Sequence, residues 1–165
     1  MSDETIIEEG YRPGVIGRVV ELHGRYYGRE WGLEQRFEVE VARELAEFFE
    51  RYDPARDGFW TARQGETVLG TITIDGLPTD EPGARLRWFI LDPASHGQGL
   101  GRRLLDTALE SFRQRGVERV WLATFAGLDA ARRLYEQAGF DLVREYRDTD
   151  WNDDGVTHQI FDWRP

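Results

Sequence analysis

HGQGLGRRLLDTALESFRQRG, residues 96–116, opens with glycines at 97, 99 and 101 and runs straight into a patterned helix. Leu100, Leu104, Leu105, Ala108, Leu109 and Phe112 recur at helical spacing, and Gly116 stands where a left-handed C-terminal residue belongs. Most helices begin on Ser, Thr, Asp or Asn, whose side chain caps the first free amides. This one begins on glycine, so its first N–H groups carry no side-chain cap. A strand, a glycine turn and a helix start together form an anion site, because free amides and the helix dipole point the same way. Two readings stand on spacing alone: an anion cradle and a plain tight turn. A Walker loop ends in Gly-Lys-Ser/Thr, and here the residues are Gly-Arg-Arg. The dinucleotide fingerprint G-x-G-x-x-G is also missed, since the spacing is G-x-G-x-G and Glu118 precedes its strand.

Working outward, RLRWFIL (85–91) reads as the strand before the turn, stopped by Asp92-Pro93, and ERVWLATF (118–125) as the strand after the helix. A strand–helix–strand crossover makes these two strands parallel, with a right-handed connection. LDAARRLYEQAG (128–139) is a second helix closed by glycine. FDLVREYR (140–147) and VTHQIFDW (156–163) are the last strands, joined by the acidic turn DTDWNDDG. Upstream, FWTAR (59–63) and TVLGTITI (67–74) form a hairpin, and Leu33 to Tyr52 carry a helical apolar face. VIGRVVEL (15–22) reads as the first strand, for its β-branched run, and HGRYYGREWG (23–32) as a short helix or irregular lid. Residues 1–12 read as a flexible acidic lead-in and residues 13–165 as one domain. The expected architecture is α+β: a mixed central sheet of about seven strands, helices on both faces, in the order β-α-α-β-β-β-α-β-α-β-β.

Composition bounds the options. The chain has 165 residues, 40% hydrophobic, with six Trp, six Tyr and nine Phe, enough for one packed core. No apolar run reaches the roughly 20 residues of a membrane span. MSDETIIEEG lacks the basic and apolar regions of a secretory signal. Cysteine is absent, which excludes disulfides and thiolate metal sites and fits the cytoplasm. The formal charge of -10 argues against nucleic acid, and either attracts a cationic small molecule or basic peptide or serves solubility alone. His23 and His158 have no metal-ligand spacing, and no metal is expected.

HGQGLG (96–101) resembles the R/Q-x-x-G-x-G/A pyrophosphate loop of the GNAT superfamily of acyl-coenzyme A-dependent N-acetyltransferases. The preceding strand ending in Leu-Asp-Pro is similar to that superfamily's coenzyme-binding strand, and RRLYEQAGF (132–140) to its A-x-x-L-Y-x-x-x-G-F segment. The order of elements fits from about residue 14 to 163. More narrowly, HGRYYGREWGLEQRFE (23–38) and DPARDGFW (53–60) resemble acetyltransferase halves fused behind MarR-type winged-helix regulators, and the residues ahead of the first strand are too few for such a regulator. His96 stands where the family has Arg or Gln, and Leu128 where many members place a coenzyme-contacting Asn.

The resemblance implies acetyl-coenzyme A as acyl donor and a primary amine as acceptor. It places His96, Gly97, Gln98, Gly99, Leu100, Gly101 and Arg102 at the pyrophosphate, with Arg102 or Arg103 adding charge. Phe89, Ile90 and Leu91 would pair with the pantetheine arm like an added strand, an amide near Leu91 holding the thioester oxygen. Tyr135 would protonate, or hydrogen-bond, the departing thiolate; its spacing also suits plain core packing. The amine must lose a proton, to His23, to Glu21 or to a water chain. Tyr26, Tyr27 and Trp31 are either an acceptor wall or ordinary core, and Asp148, Asp150, Asp153 and Asp154 either attract a cation or form a solvated hairpin tip. The acceptor is expected to be a small amine or a peptide, and a homodimer is admitted. The competing expectation is a non-catalytic acyl-coenzyme A sensor or interaction domain, using the same loop.

Overall fold

The computed structural model describes residues 4–149 and 155–165. Its elements are β1 (Ile6–Glu9), α1 (Val15–Trp31), α2 (Gln35–Glu50), β2 (Gly58–Gln64), β3 (Thr67–Asp75), β4 (Ala84–Leu91), α3 (Leu100–Gln114), β5 (Val120–Phe125), α4 (Asp129–Gln137), β6 (Asp141–Asp148) and β7 (Val156–Trp163). They build one seven-stranded sheet in the order β1-β2-β3-β4-β5-β7-β6. Every neighbouring pair is antiparallel except β4 and β5.

The order of elements is the expected one, but the first two stand elsewhere. Residues 15–22 are helical, not extended. Val15, Val19, Leu22 and His23 fall on one face at helical spacing and are all buried, which outweighs the β preference of the valines. The first strand lies upstream, inside the segment expected to be flexible, where Ile6–Glu9 pairs with β2 along the sheet edge. Its acidic residues have cationic partners: Glu8 takes hydrogen bonds from Arg63 on β2 and from Arg12, and Glu9 from Arg115 at the end of α3. A charge pattern that reads as solvated is therefore matched by partners far along the chain.

Helices α1 and α2 cover one face of the sheet, where Val15, Val19, Val41, Leu45 and Phe48 pack with Phe59 and Trp88. Helix α3 covers the other, its Leu104, Leu105, Ala108 and Phe112 against Ile72, Ile74, Leu86, Val120 and Leu122, and Tyr135 of α4 joins the same core. Leu104 and Leu105 are fully buried, worth about 2 kcal/mol each in transfer from water.

Two departures from regular sheet position the site. First, β4 and β5 pair at only two positions, Ala84 with Val120 and Arg85 with Trp121, and then part. Second, β4 carries a bulge. Thr71 faces Ile90 but Thr73 faces Arg87, so β4 holds one residue more than β3 over that interval. Trp88, inside the bulge, has φ 46°, the left-handed region unusual for a bulky side chain. The bulge reverses the alternation of faces. Ala84 and Leu86 belong to the α3 core, Trp88 to the α1/α2 core, and Phe89 and Leu91 pack on the α3 side.

Candidate active site

The strand ends at Asp92, which fixes the approach to the glycine turn. Asp92 accepts from the amide of Ala94 (3.0 Å) and from Arg18 of α1 (2.7 Å), while its own N–H donates to Leu69 (2.7 Å). The Ala94 amide and the Arg18 guanidinium hold its carboxyl below the usual carboxylate range. Arg18 also donates to Val68 O at 3.0 and 3.1 Å, so one guanidinium joins α1, β3 and the end of β4. A short 3-10 turn, Pro93–Ser95, leads into the glycines.

Gly97 (φ 78°) and Gly99 (φ 75°) both take left-handed conformations, and Gly99 is the uncapped start of α3. Open space lies above both. Gly101 serves a different need: a Cβ there would lie 3.2 Å from Leu134 Cδ1 and 3.3 Å from Leu91 Cδ1. The first helical hydrogen bond of α3 runs from the Arg103 N–H to Gly99 O (3.2 Å). Among the described residues, no acceptor takes the amides from Gly97 through Arg102. A row of unsatisfied donors at a helix start is the arrangement that binds phosphate oxygens.

These amides open onto a cavity of about 370 Å³ that fills the gap between β4 and β5. Phe89, Ile90 and Leu91 form one wall, Thr124, Leu128, Ala131 and Leu134 another, and Tyr26 and Tyr27 of α1 close an end. His96, Gly97, Gly99, Leu100, Gly101 and Arg102 also line it, as does Tyr135. Beyond Arg85, β4 has no strand partner on the β5 side. Its free backbone edge is thus available to an extended ligand, as an added strand would use it.

Tyr135 is buried against Phe89 (6.1 Å between rings), Phe140 (5.7 Å) and Phe161 (6.2 Å). Burial, with the nearby Tyr27, pushes its hydroxyl well above the ordinary phenol range, so the group stays protonated at neutral pH. Tyr135 therefore packs in the core and also lines the cavity.

Other expected residues stand apart. Gln98 does not line the cavity; its side chain turns back to Ala94 O (3.4 Å). Arg102 lines it, with Nε held by Asp106 at 2.9 and 3.1 Å. Arg103 does not. His23 is buried outside it, its Nδ1 bonded to Val19 O (2.8 Å) and its ring stacked on Tyr27. Burial pushes its pKa down to about 4, which makes it a weak base. Glu21 is paired with Arg18 (2.6 Å), which lowers its pKa, and it too lies outside the cavity. Trp31 packs on Phe125, and Tyr27 on Phe37 and Phe125. Asp148 lies 2.6 Å from His158 Nε2. Asp150, Asp153 and Asp154 lie outside the described residues. Thr124 and Leu134 were not anticipated; nothing local marks them, because they reach the cavity only through the parting of the strands. Among the described residues no cluster of His, Asp and Glu is placed to hold a metal ion, and no helix is long and apolar enough to cross a membrane.

The profile of the acetyltransferase (GNAT) family matches residues 17–140, and the chain belongs to that family. It is 32% identical over 132 residues to the N-acetyltransferase YjgM of Escherichia coli, uncharacterised in function, the match covering 78% of this chain and 75% of that one. It is 39% identical over 92 residues to the ribosomal protein bS18-alanine N-acetyltransferase of E. coli, covering 53% and 61%. Other curated relatives are longer: the match spans 47% of a mouse N-acetyltransferase family 8 protein and 32% of the mycothiol acetyltransferase of Geodermatophilus obscurus. Among solved structures, the fold is shared with an acetyltransferase of Streptococcus agalactiae (TM-score 0.75, 22% identity, 98% of both chains). It is shared too with YncA of Salmonella typhimurium, solved with its cofactor acetyl-CoA (TM-score 0.74, 16% identity, 97% and 93%).

Proposed function

We propose that this protein is an acetyl-coenzyme A-dependent N-acetyltransferase that acetylates a primary amine of a small molecule or peptide by direct attack on the thioester. One observation carries the reading: a single cavity has free helix-start amides at one end, an unpaired strand edge along its side, and a buried, protonated Tyr135 facing in. The donor supplies an activated acyl group and a thiolate leaving group. The chain's own part follows from position. Amides from Gly97 to Arg102 bind the diphosphate, the β4 edge at Phe89, Ile90 and Leu91 orients the pantetheine arm, and the Tyr135 hydroxyl donates its proton to the sulfur as it leaves. The apolar walls exclude water from the reacting centre.

Among the described residues no carboxylate lines the cavity, and His23 lies outside it with its Nδ1 bonded to Val19 O; the amine's proton passes to water or to a group brought by the acceptor. The same lack of a base favours the second reading, a non-catalytic acyl-coenzyme A-binding domain. Thiol release from acetyl-coenzyme A across a panel of amines separates them. Amine-dependent release is the expected result. Tight coenzyme binding with no release from any amine would leave the sensor.

A further inference from the structure

On the α1/α2 face of the sheet, opposite α3, the last paired rung of β4 and β5 sets Arg85 beside Trp121. The guanidinium lies over the indole, 5.0 Å from its centroid. Arg85 Nε and Trp121 Nε1 are both buried, and neither has a hydrogen-bond partner among the described residues. Both atoms are obligate donors. Leaving two such donors unmet in one place is costly, because each gives up water without gaining an acceptor. Native structures rarely carry that cost without a ligand or ordered water to meet it.

Among the described residues no carboxylate pairs with Arg85, although Glu44 and Asp75 lie near enough to favour its charge. Arg87, next on the same strand face, already takes Asp75 (3.2 Å) and Glu44 (2.8 Å). Asp75 is further shared with Arg51 (2.7 Å). Burial, and then the like charge of Arg87, lower the Arg85 pKa, the reverse of what a paired arginine shows. Across the molecule the contrast is plain: Arg18, Arg51, Arg56, Arg63 and Arg119 all have partners and raised values.

We propose that Arg85 and Trp121 form the acceptor's carboxylate subsite, so that the acceptor is an amine bearing a carboxylate set well apart from the reacting nitrogen. A carboxylate offers two oxygens to two adjacent donors, and the guanidinium is shaped to take it. The separation follows from the strand. Arg85 precedes Phe89 by four residues, at most about 13 Å along the strand and less across the bulge at Trp88. That exceeds the reach of an α-amino acid and suits an acidic side chain about three residues beyond a peptide's terminal amine, or the far end of a long ω-amino acid.

The inference rests on the transferase reading, and the test keeps the two apart. Thiol release is followed with Gly-Gly-Gly-Asp-amide against Gly-Gly-Gly-Asn-amide, and with a long ω-amino acid against its amide. The wild-type protein should favour the acid member of at least one pair by tenfold or more in kcat/KM, mainly through KM; which pair responds distinguishes peptide from small acid. Arg85→Met should bring acid and amide within twofold of each other, and Arg85→Lys should keep part of the preference. Coenzyme A affinity in each variant reports an intact fold. Equal kcat/KM for acid and amide in the wild type, or a preference that survives Arg85→Met, would overturn the subsite. If no amine releases thiol, the transferase reading fails by itself. The subsite is then read by calorimetry of N-terminally blocked acid and amide peptides in the presence of coenzyme A, where equal affinities would overturn it.

Discussion

The Tyr135 hydroxyl has no partner among the described residues, though the ring beneath it is held by three aromatic neighbours. Tyr135→Phe should keep the packing and remove the proton: turnover falls at least tenfold while coenzyme A affinity in calorimetry stays within twofold. Unchanged turnover would take this residue out of the chemistry. Gly99→Ala acts on backbone alone, since open space surrounds the site, but alanine at φ 75° costs roughly 1–2 kcal/mol. Relief of that strain re-aims the amides, and coenzyme A affinity should drop several-fold; an unaltered affinity would contradict their role. His23 gives a pH dependence. It is neutral and buried when folded, with its pKa down at about 4 from 6.5, so unfolding lets the chain bind a proton. The stability it contributes is full above pH 6.5 and falls by about 3 kcal/mol as pH drops toward 4. His23→Leu should flatten urea-melt stabilities across that window. A slope equal to wild type would show that the imidazole is not held neutral.

At the scale of elements, the sequence was most legible where structure is local. The glycine turn, the α3 stripe and the glycine closing α4 state their conformations in adjacent residues. Gly116 and Gly139 both end their helices in left-handed conformation, with Val117 N–H returning to Phe112 O (3.2 Å) and Phe140 N–H to Tyr135 O (2.9 Å). The first strand was misplaced because β1 depends on partners such as Arg63, Arg12 and Arg115, and the valines of α1 disguise a helical face. The β4 bulge was not seen either. No glycine marks it, yet the strand's apolar–polar alternation through Arg87 gives way to the continuous run Trp88 to Leu91, which is where the facing changes. Thr71 holds the bulge through a buried hydroxyl that donates to Trp88 O (3.1 Å). Thr71→Val should cost about 1 kcal/mol in chemical denaturation and raise KM for acetyl-coenzyme A more than it lowers kcat. A purely kcat effect would mean that the bulge does not shape the donor site.

The whole molecule divides labour between its two layers. Residues of α3 and α4 form much of the cavity lining beyond β4, while the donors of Arg85 and Trp121 lie on the α1 and α2 side at the last paired rung of β4 and β5. The net charge of -10 repels an anionic coenzyme at long range, so the proposed binding rests on local donors, the row of amides and Arg102. The central claim is that those amides, with the free edge of β4, receive the coenzyme. The most direct measurement is a titration of the amide nitrogen–proton NMR spectrum with coenzyme A. Saturable shifts should appear first and largest at Gly97 through Arg102, with a second group at Phe89, Ile90 and Leu91. Binding that leaves those resonances in place and moves others would contradict the account.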